Sequence, residues 1–336
     1  MANFGNTTLP KIGGTQTVQM EKAFRKKFRD QSIIPLITNS DWKGRFRGVG
    51  TEIKIPVLPV LTTQTAVFNE DGSEKAIVYQ TPASTEETFK INRERYWGIH
   101  MIQEDELFAD FNITNPILDE QAKVMSEDVE SELLGDIATK AHAKNKGDNT
   151  TGKAGFVSGT YAIGSASNPT LLFKSDAAAD KSTATGANVN KLAAPDFMAA
   201  MASTLTEQPG GKVGSWRIVI PTVVANLLQT SELKQAELTG DATSTLRKSV
   251  TVLGNIAGMD VIVSDKVPYQ AGDTSAANVY PIYAMDTTAI TFAEEVVIKD
   301  KIQDKDVWGD FHRCKMIYDW FVRYPERFAV GYVKIG

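Results

Sequence analysis

Residues 48–144 constrain the fold most, because they predict two elements too long for a compact globule. An alternating apolar and polar segment at residues 51–57 has the period of a β-strand, and a second such segment lies at residues 87–92. Between them, the Asp-Gly pair at residues 71–72 is a strong turn signal. The pattern therefore predicts an extended β-hairpin with its tip at residues 69–75.

The predicted hairpin reaches farther than the body of a single subunit. About 22 residues lead from its start to its tip, which is roughly 70 Å of extended strand. A compact globule of this chain length is only about 50 Å across. We therefore expect the tip to contact another subunit. The predicted interface residues are Phe68, Asn69, Glu70, Asp71, Gly72, Lys75, Ile77 and Tyr79.

The second long element is a helix predicted over residues 116–144, roughly 43 Å in length. Asn115 is a favourable N-cap, and Pro116 is favourable as the first helical residue because its missing N–H would be unpaired there anyway. Late lysines suit the negative end of the helix dipole, and Gly147 is the predicted stop. An apolar stripe, which we expect to face a sheet of the same subunit, comprises Leu118, Ala122, Met125, Val129, Leu133, Ile137 and Ala141.

Composition and charge exclude several classes of protein. The chain has 336 residues, 42% of them hydrophobic, so it can bury a sizeable core and form two lobes. Its net charge of −5 argues against a dedicated DNA-binding protein, which carries a basic face. No apolar run approaches the ~18 residues that span a bilayer, and no secretory segment is evident, so we expect a cytosol-like compartment and no membrane partner. Cys314 is the only cysteine, which excludes an intrachain disulfide.

The first fifty residues are basic, with nine Lys or Arg against three Asp or Glu, a difference of +6. Within them Met20, Phe24 and Phe28 are spaced four apart and predict a short amphipathic helix. Its cationic face could be a solvated face of a helix that caps its own core. It could instead belong to an arm that docks on a neighbour or faces nucleic acid. The residues of this face are Arg25, Lys26, Lys27 and Arg29.

The remainder of the chain predicts a mixed α/β region. Residues 145–194 are rich in small and polar residues and predict loops with weak strands at residues 156–157 and 171–173. Order is predicted to return with a helix at residues 195–208, a buried strand at residues 216–220 and a helix that starts at Pro221. The short strands predicted after it are residues 259–263, 279–284, 290–292, 316–322 and 327–333.

The sequence contains no convincing catalytic or metal-binding set. Residues 147–154 match G-x-x-x-x-G-K but lack the Ser or Thr that binds magnesium. The three histidines are isolated, so no metal site is predicted, and Cys314 is expected to be a buried thiol. We predict no enzymatic activity and no cofactor. A nucleotide hydrolase that uses Gly152 and Lys153 is the alternative from another functional class.

The order of these parts resembles the major capsid (coat) proteins of tailed bacteriophages, which have the Hong Kong 97-type fold. The segments that carry the resemblance are the hairpin return strand (87–99 and 102–105), an axial strand and helix (from 216–221), a Gly-bounded turn and strand (253–268) and closing strands (283–292 and 320–332).

The resemblance implies an α+β protein with five parts. These are an N-terminal arm (1–47), an extended hairpin loop (48–92), a peripheral domain with the spine helix and the loop region (93–194), an axial domain (195–310) and closing strands that return to the peripheral domain (311–336).

The resemblance also implies a structural role, in which pentamers and hexamers form an icosahedral shell around double-stranded DNA that is contacted non-specifically. Arg25, Lys26, Lys27 and Arg29 are then expected at the inner surface, near DNA or scaffold. No long acidic helical extension precedes the arm, so a separate scaffolding protein is implied. The resemblance also implies a portal as a partner and leaves open whether a decoration protein takes part. The shell is expected to assemble in the host cytoplasm and to be found in the virion. The alternative within the same fold is an encapsulin-like nanocompartment shell.

Overall fold

The structure is a computed structural model that describes thirteen stretches of the chain. They are residues 24–30, 32–40, 49–57, 85–102, 114–147, 156–157, 161–167, 169–173, 191–206, 216–231, 252–271, 278–303 and 309–335. The predicted hairpin tip, residues 69–75, lies outside these stretches, as do its flanking residues Phe68, Ile77 and Tyr79.

The described residues form fourteen strands. In chain order they are β1 (Glu52–Val57), β2 (Thr85–Lys90), β3 (Arg93–Ile102), β4 (Phe156–Val157), β5 (Tyr161–Ala162), β6 (Thr170–Phe173), β7 (Lys191–Ala193), β8 (Trp216–Pro221), β9 (Val252–Ile256), β10 (Met259–Ser264), β11 (Tyr280–Asp286), β12 (Ile290–Gln303), β13 (Gly309–Val322) and β14 (Phe328–Ile335).

Two of the described helices precede β1, and three lie between later strands. They are the arm helix (described over residues 24–30), a short helix (Ile34–Ile37), the spine helix (Thr114–Ile137), the first axial helix (Ala194–Thr206) and the second axial helix (Thr222–Gln229), with 3₁₀ turns at Ala143–Asn145 and Pro325–Arg327.

Two sheets organise the molecule. The peripheral sheet has three antiparallel strands in the order β12-β13-β3. The axial sheet has seven strands in the order β7-β6-β14-β11-β8-β10-β9 and mixes parallel with antiparallel pairs. The combination of helices with largely antiparallel sheets agrees with the predicted α+β class.

The predicted hairpin is present at its base. Strands β1 and β2 pair antiparallel from Glu52 opposite Lys90 to Val57 opposite Thr85. Ion pairs link the two strands on their exposed face, Lys54 to Glu86 and Lys90 to Glu52. The register therefore leads both strands toward the loop that the sequence predicts.

The two faces of the axial sheet bury separate cores. On one face, Val219, Ile262 and Tyr283 join the core formed by the spine helix, the arm helix and the peripheral sheet. On the other face, neighbouring strand residues such as Ile218 and Ile282 pack against the two axial helices. This alternation follows from the two-residue period of strand side chains. The spine helix is thus sandwiched between the two sheets of its own subunit.

The spine helix confirms the predicted stripe but not the predicted ends. Six stripe residues with described side chains are buried: Ala122, Met125, Val129, Leu133, Ile137 and Ala141. The helix starts at Thr114, so Asn115 lies inside it instead of capping it, and it stops at Ile137 instead of residue 144. After Ile137, hydrogen bonds to a distant segment of the chain replace those of the helix. The N–H of His142 donates to the carbonyl of Pro325, and the Asn145 side chain donates to the carbonyls of Glu326 and Phe328.

Each of the two sheets takes strands from both sides of the predicted boundary at residues 310–311. Strand β12 lies before residue 310 yet belongs to the peripheral sheet, whereas β14 lies after residue 311 and belongs to the axial sheet. The weak strand β6, expected in the loop region of the peripheral domain, pairs with β14 in the axial sheet, as β7 pairs with β6. The pairing of β14 with β6 joins segments that lie far apart in the chain.

Candidate assembly surfaces

The arm is bound to its own subunit by both apolar and charged contacts. Phe24 and Phe28 are buried in the core beneath the arm helix, as their spacing predicts. The Arg29 guanidinium contacts the carboxylate of Glu294 on β12, with Nη2 2.6 Å from Oε1. Lys27 forms an exposed ion pair with Asp119 of the spine helix. Two of the four basic residues predicted to face the shell interior therefore have partners within the chain.

The other two basic arm residues lie in different environments. Lys26 is exposed. Arg25 is half-buried, and its Nε makes no hydrogen bond to the described residues. The positive charge of Arg25 acts on Glu294 together with that of Arg29. Arg25 and Arg29 thus both act on Glu294, whereas Lys26 is exposed to solvent.

Glu294 is the functional residue of this contact that the sequence did not single out. Its side chain is only 4% exposed, and burial raises its pKa despite the opposing effect of Arg29. It lies between Phe292 and Val296, two residues that face the same core. Because alternate residues of a strand face the same side, the sequence places Glu294 on the buried face with Phe292 and Val296. A buried carboxylate needs a cationic partner, and this was the only signal for one in the sequence.

A second buried carboxylate, Glu130, joins three parts of the fold. It extends from the spine helix, accepts a hydrogen bond from the backbone N–H of Ile33 at 3.3 Å, and accepts another from the Ser264 hydroxyl at the end of β10. Burial raises its pKa, although these two hydrogen bonds act in the opposite direction. The arm, the spine helix and the axial sheet therefore meet at one carboxylate.

A polar seam connects the spine helix to strand β3. Arg93 pairs with Glu132 and Asp136, and its guanidinium lies 3.9 Å from the ring centroid of Trp320. The Trp320 indole N–H donates to Asp136 at 2.7 Å. Burial alone would raise the pKa of Asp136, but the hydrogen bonds from Lys140 and Trp320 hold it below its usual value.

Farther along this seam, Tyr318 and Arg95 form hydrogen bonds of the same kind with Glu132 and with each other. The Tyr318 hydroxyl donates to Glu132 at 2.5 Å, and Arg95 donates to the same hydroxyl at 3.0 Å. Hydrogen bonds from Tyr318 and Arg93 outweigh burial and lower the pKa of Glu132. For Tyr318, burial and the Glu132 contact raise the pKa to about 12. The seam fixes the rigid helix against the sheet from which the hairpin departs.

The hairpin base is anchored on the outer face of the peripheral sheet. Ile53, Ile55, Phe89 and Ile91 form a small core with Ala293, Ile317 and Phe321. The backbone N–H of Asn92 also donates to Asp319 at 3.0 Å. The predicted tip contacts themselves concern residues outside the described stretches.

The described residues give no support to the enzymatic alternative. No group of three or more His, Cys, Asp or Glu side chains among them is placed to hold a metal ion. Cys314 is 1% exposed, as predicted for a buried thiol. At Gly147, the start of the phosphate-loop match, a Cβ would lie 1.9 Å from the carbonyl oxygen of Gly164, so this glycine is explained by close backbone packing. Gly152 and Lys153 lie outside the described stretches.

Within the described stretches, no helix combines the length and the apolar character needed to cross a bilayer.

The architecture belongs to a known class: the chain has the fold of phage capsid proteins, as the resemblance to the Hong Kong 97-type fold implies. The similar solved structures include one from Mycobacterium phage Che8, with 15% identity, a TM-score of 0.56 and coverage of 89% of this chain and 90% of that one.

Two further structures extend this comparison to named capsids. The capsid of Cyanophage P-SCSP1u matches with 13% identity and a TM-score of 0.54, over 89% of this chain and 85% of that one. The mature capsid of bacteriophage PhiM1 matches with 12% identity and a TM-score of 0.51, over 92% and 86%. No protein-family model and no curated protein matches the sequence.

Proposed function

We propose that this chain is the major capsid protein of a tailed bacteriophage, a structural protein whose copies form a closed shell. The observation that carries the proposal is the likeness to phage structures over most of both chains, at a TM-score of 0.56 for 89% of this chain and 90% of the Che8 chain. With this coverage, the likeness concerns most of the architecture and not a single part of it.

The proposed shell contacts use the elements that extend from the body. The hairpin base is held by its own small apolar core, and its tip is proposed to reach a neighbouring subunit through Glu70, Asp71 and Lys75, with Phe68 and Tyr79 buried at that boundary. Exposed charge pairs of this kind contribute only about 0.5 kcal/mol each. Shell stability would therefore depend on the repetition of these contacts by symmetry.

The arm is proposed to lie on the inner side of the shell. Since Arg29 and Lys27 have acidic partners in the same chain, Lys26 is the clearest candidate among the four for contact with packaged DNA or scaffold. The interior contact would be electrostatic and independent of sequence, and therefore weaker at high salt. The remaining partners of the proposal are a scaffolding protein, a portal and a decoration protein, with assembly in the host cytoplasm and a final place in the virion.

The closest competing function is an encapsulin-like shell that encloses proteins. Two observations favour the phage shell: the capsid structures compared above are those of phages, and the arm carries a local excess of positive charge. The proposed role requires no catalytic centre.

Electron microscopy of the protein purified from infected cells, followed by extraction of nucleic acid from the particles, tests the proposal. Closed shells assembled during infection and filled with double-stranded DNA are the expected result. Shells that contain only protein would favour the nanocompartment. Absence of any ring or shell, together with binding of a nucleoside triphosphate, would favour the hydrolase.

A further inference from the structure

A groove lies between the edge strand β3 and the spine helix, with a volume of about 310 Å³. Its walls include Tyr96, which is 81% exposed, and Val124, which is 44% exposed. Only five large apolar side chains are exposed in the described part of the chain, and two of them line this one groove. Such clustering marks a surface that another segment covers.

Polar groups at the groove also need a partner. The indole N–H of Trp97 is buried and makes no hydrogen bond to the described residues. Buried indole donors normally find an acceptor. Among the described strands, β13 alone pairs with β3, so the outer edge of β3 presents free backbone donors and acceptors. An incoming segment could provide an acceptor for the indole N–H and cover the open edge of β3.

The path of the arm identifies the segment that reaches this groove. The Phe24 ring lies 6.5 Å from the Trp97 ring, over β3, whereas Arg29 pairs with Glu294 on β12 at the opposite edge of the peripheral sheet. The arm helix therefore crosses the sheet from β3 to β12. The N-terminal end of the described arm helix, at Phe24, therefore lies on the β3 side of the sheet, where the groove opens.

We propose that residues 14–23 of the same chain bind in this groove, with Met20 against Val124 and Trp97. Met20 precedes Phe24 by four positions, so a helical continuation places it on the same face and only about 6 Å farther along. The short connection gives this segment an effective concentration in the millimolar range, which favours it over a second copy. The occupant covers the exposed apolar pair and shields the edge strand from other strands. This binding goes beyond the shell function and does not depend on it.

A pair of cysteines tests the proposal. The variant Met20→Cys/Val124→Cys is made in a Cys314→Ala background, and the matched control is Met20→Cys/Val223→Cys, because Val223 is 45% exposed on the second axial helix. Under mild oxidation with Cu(II)-phenanthroline, the intrachain disulfide should form at least ~10-fold faster in the test pair. Peptide mass mapping identifies the bond.

A second measurement tests the same contact without depending on disulfide geometry. Amide hydrogen exchange of residues 94–98 should be slower in the full chain than in a chain that lacks residues 2–22. Equal disulfide rates in test and control pairs, with unchanged exchange after truncation, would overturn the proposal. Disulfides only between chains would also overturn it and would assign the groove to a second copy.

Discussion

The guanidinium of Arg29 and the carboxylate of Glu294 are in contact at 2.6 Å although 265 positions separate them in the chain. The contact joins the basic arm to the first strand of the β12–β13 hairpin. It gives the positive charge of the arm a role within the subunit, since a carboxylate that is 4% exposed requires a cation nearby. Part of the predicted inner-surface charge is therefore structural.

Replacing Arg29 alone should destabilise the subunit. Arg29→Met leaves Glu294 buried without its partner, and we expect a loss of about 1–3 kcal/mol, less than for a fully buried pair because the Arg29 side chain is 40% exposed. Chemical denaturation measures the loss. Lys26→Met, at an exposed site of the same helix, is the control and should change stability by less than about 0.5 kcal/mol. Equal effects of the two substitutions would refute the structural role of the pair.

Glu130→Gln should alter how stability depends on pH. Because burial raises the folded pKa of Glu130 above its ordinary value of 4.5, its stabilising contribution is complete below pH 4.5 and is lost as the pH rises through the folded pKa. The surrounding groups are Ser264, Asp265 and Lys266 and the N–H of Ile33. Relative to the wild type, the Gln variant should therefore gain stability as the pH is raised.

Urea unfolding at several pH values between 4 and 8 measures this difference, with Glu120→Gln as the control at an exposed position of the same helix. The lowered pKa values of Glu132 and Asp136 work in the opposite direction, because their contribution is present above their ordinary values and is lost in acid. A Glu130→Gln profile parallel to that of the wild type would contradict the assignment.

Leu133→Asp should abolish soluble expression. Leu133 is fully buried on the spine helix, and a carboxylate at this site has no cationic partner among the core residues around it, so we expect a loss of more than about 4 kcal/mol. Lys123→Asp changes charge at an exposed position of the same helix and should leave the protein soluble. Soluble, normally assembling Leu133→Asp protein would show that the stripe does not face the core.

Local pattern was sufficient to predict the elements whose signal is periodic. The buried face of the spine helix, the hairpin base and the axial helices follow from apolar residues such as Val129, Ile55 and Phe197 at the expected spacing. Strands β12 and β13 were predicted much too short, at residues 290–292 and 316–322, whereas each spans fourteen residues. Charged residues in their extensions are typical of loops when viewed in isolation.

The sequence could not indicate which residues far apart in the chain contact each other. Glu294 is tolerated in β12 because Arg29 reaches it from the arm, and the early end of the spine helix depends on bonds from Asn145 to the segment around Phe328. No local rule indicates either contact. The length of the hairpin and the charge of the arm were enough to predict which segments form the candidate assembly surfaces. They did not indicate which residues of the same chain these segments contact.

Deleting residues 69–75 should weaken shells without unfolding subunits. The hairpin base retains its register and its apolar core with Ile317, so the monomer should unfold at an unchanged midpoint. The shell, deprived of its proposed tip contacts, should dissociate at lower temperature or lower denaturant concentration. Lys54→Gln, which removes one exposed cross-strand ion pair at the base, is the control and should have little effect. Deletion shells of unchanged thermal stability would contradict the proposed interface.

Sedimentation velocity of the purified protein, with scaffolding protein supplied, measures directly whether the chain assembles into shells. We expect rings or closed shells that sediment far faster than a 36.7 kDa monomer, because the hairpin is proposed to bind neighbouring copies. A single, stable, compact monomer at every concentration under assembly conditions would contradict it.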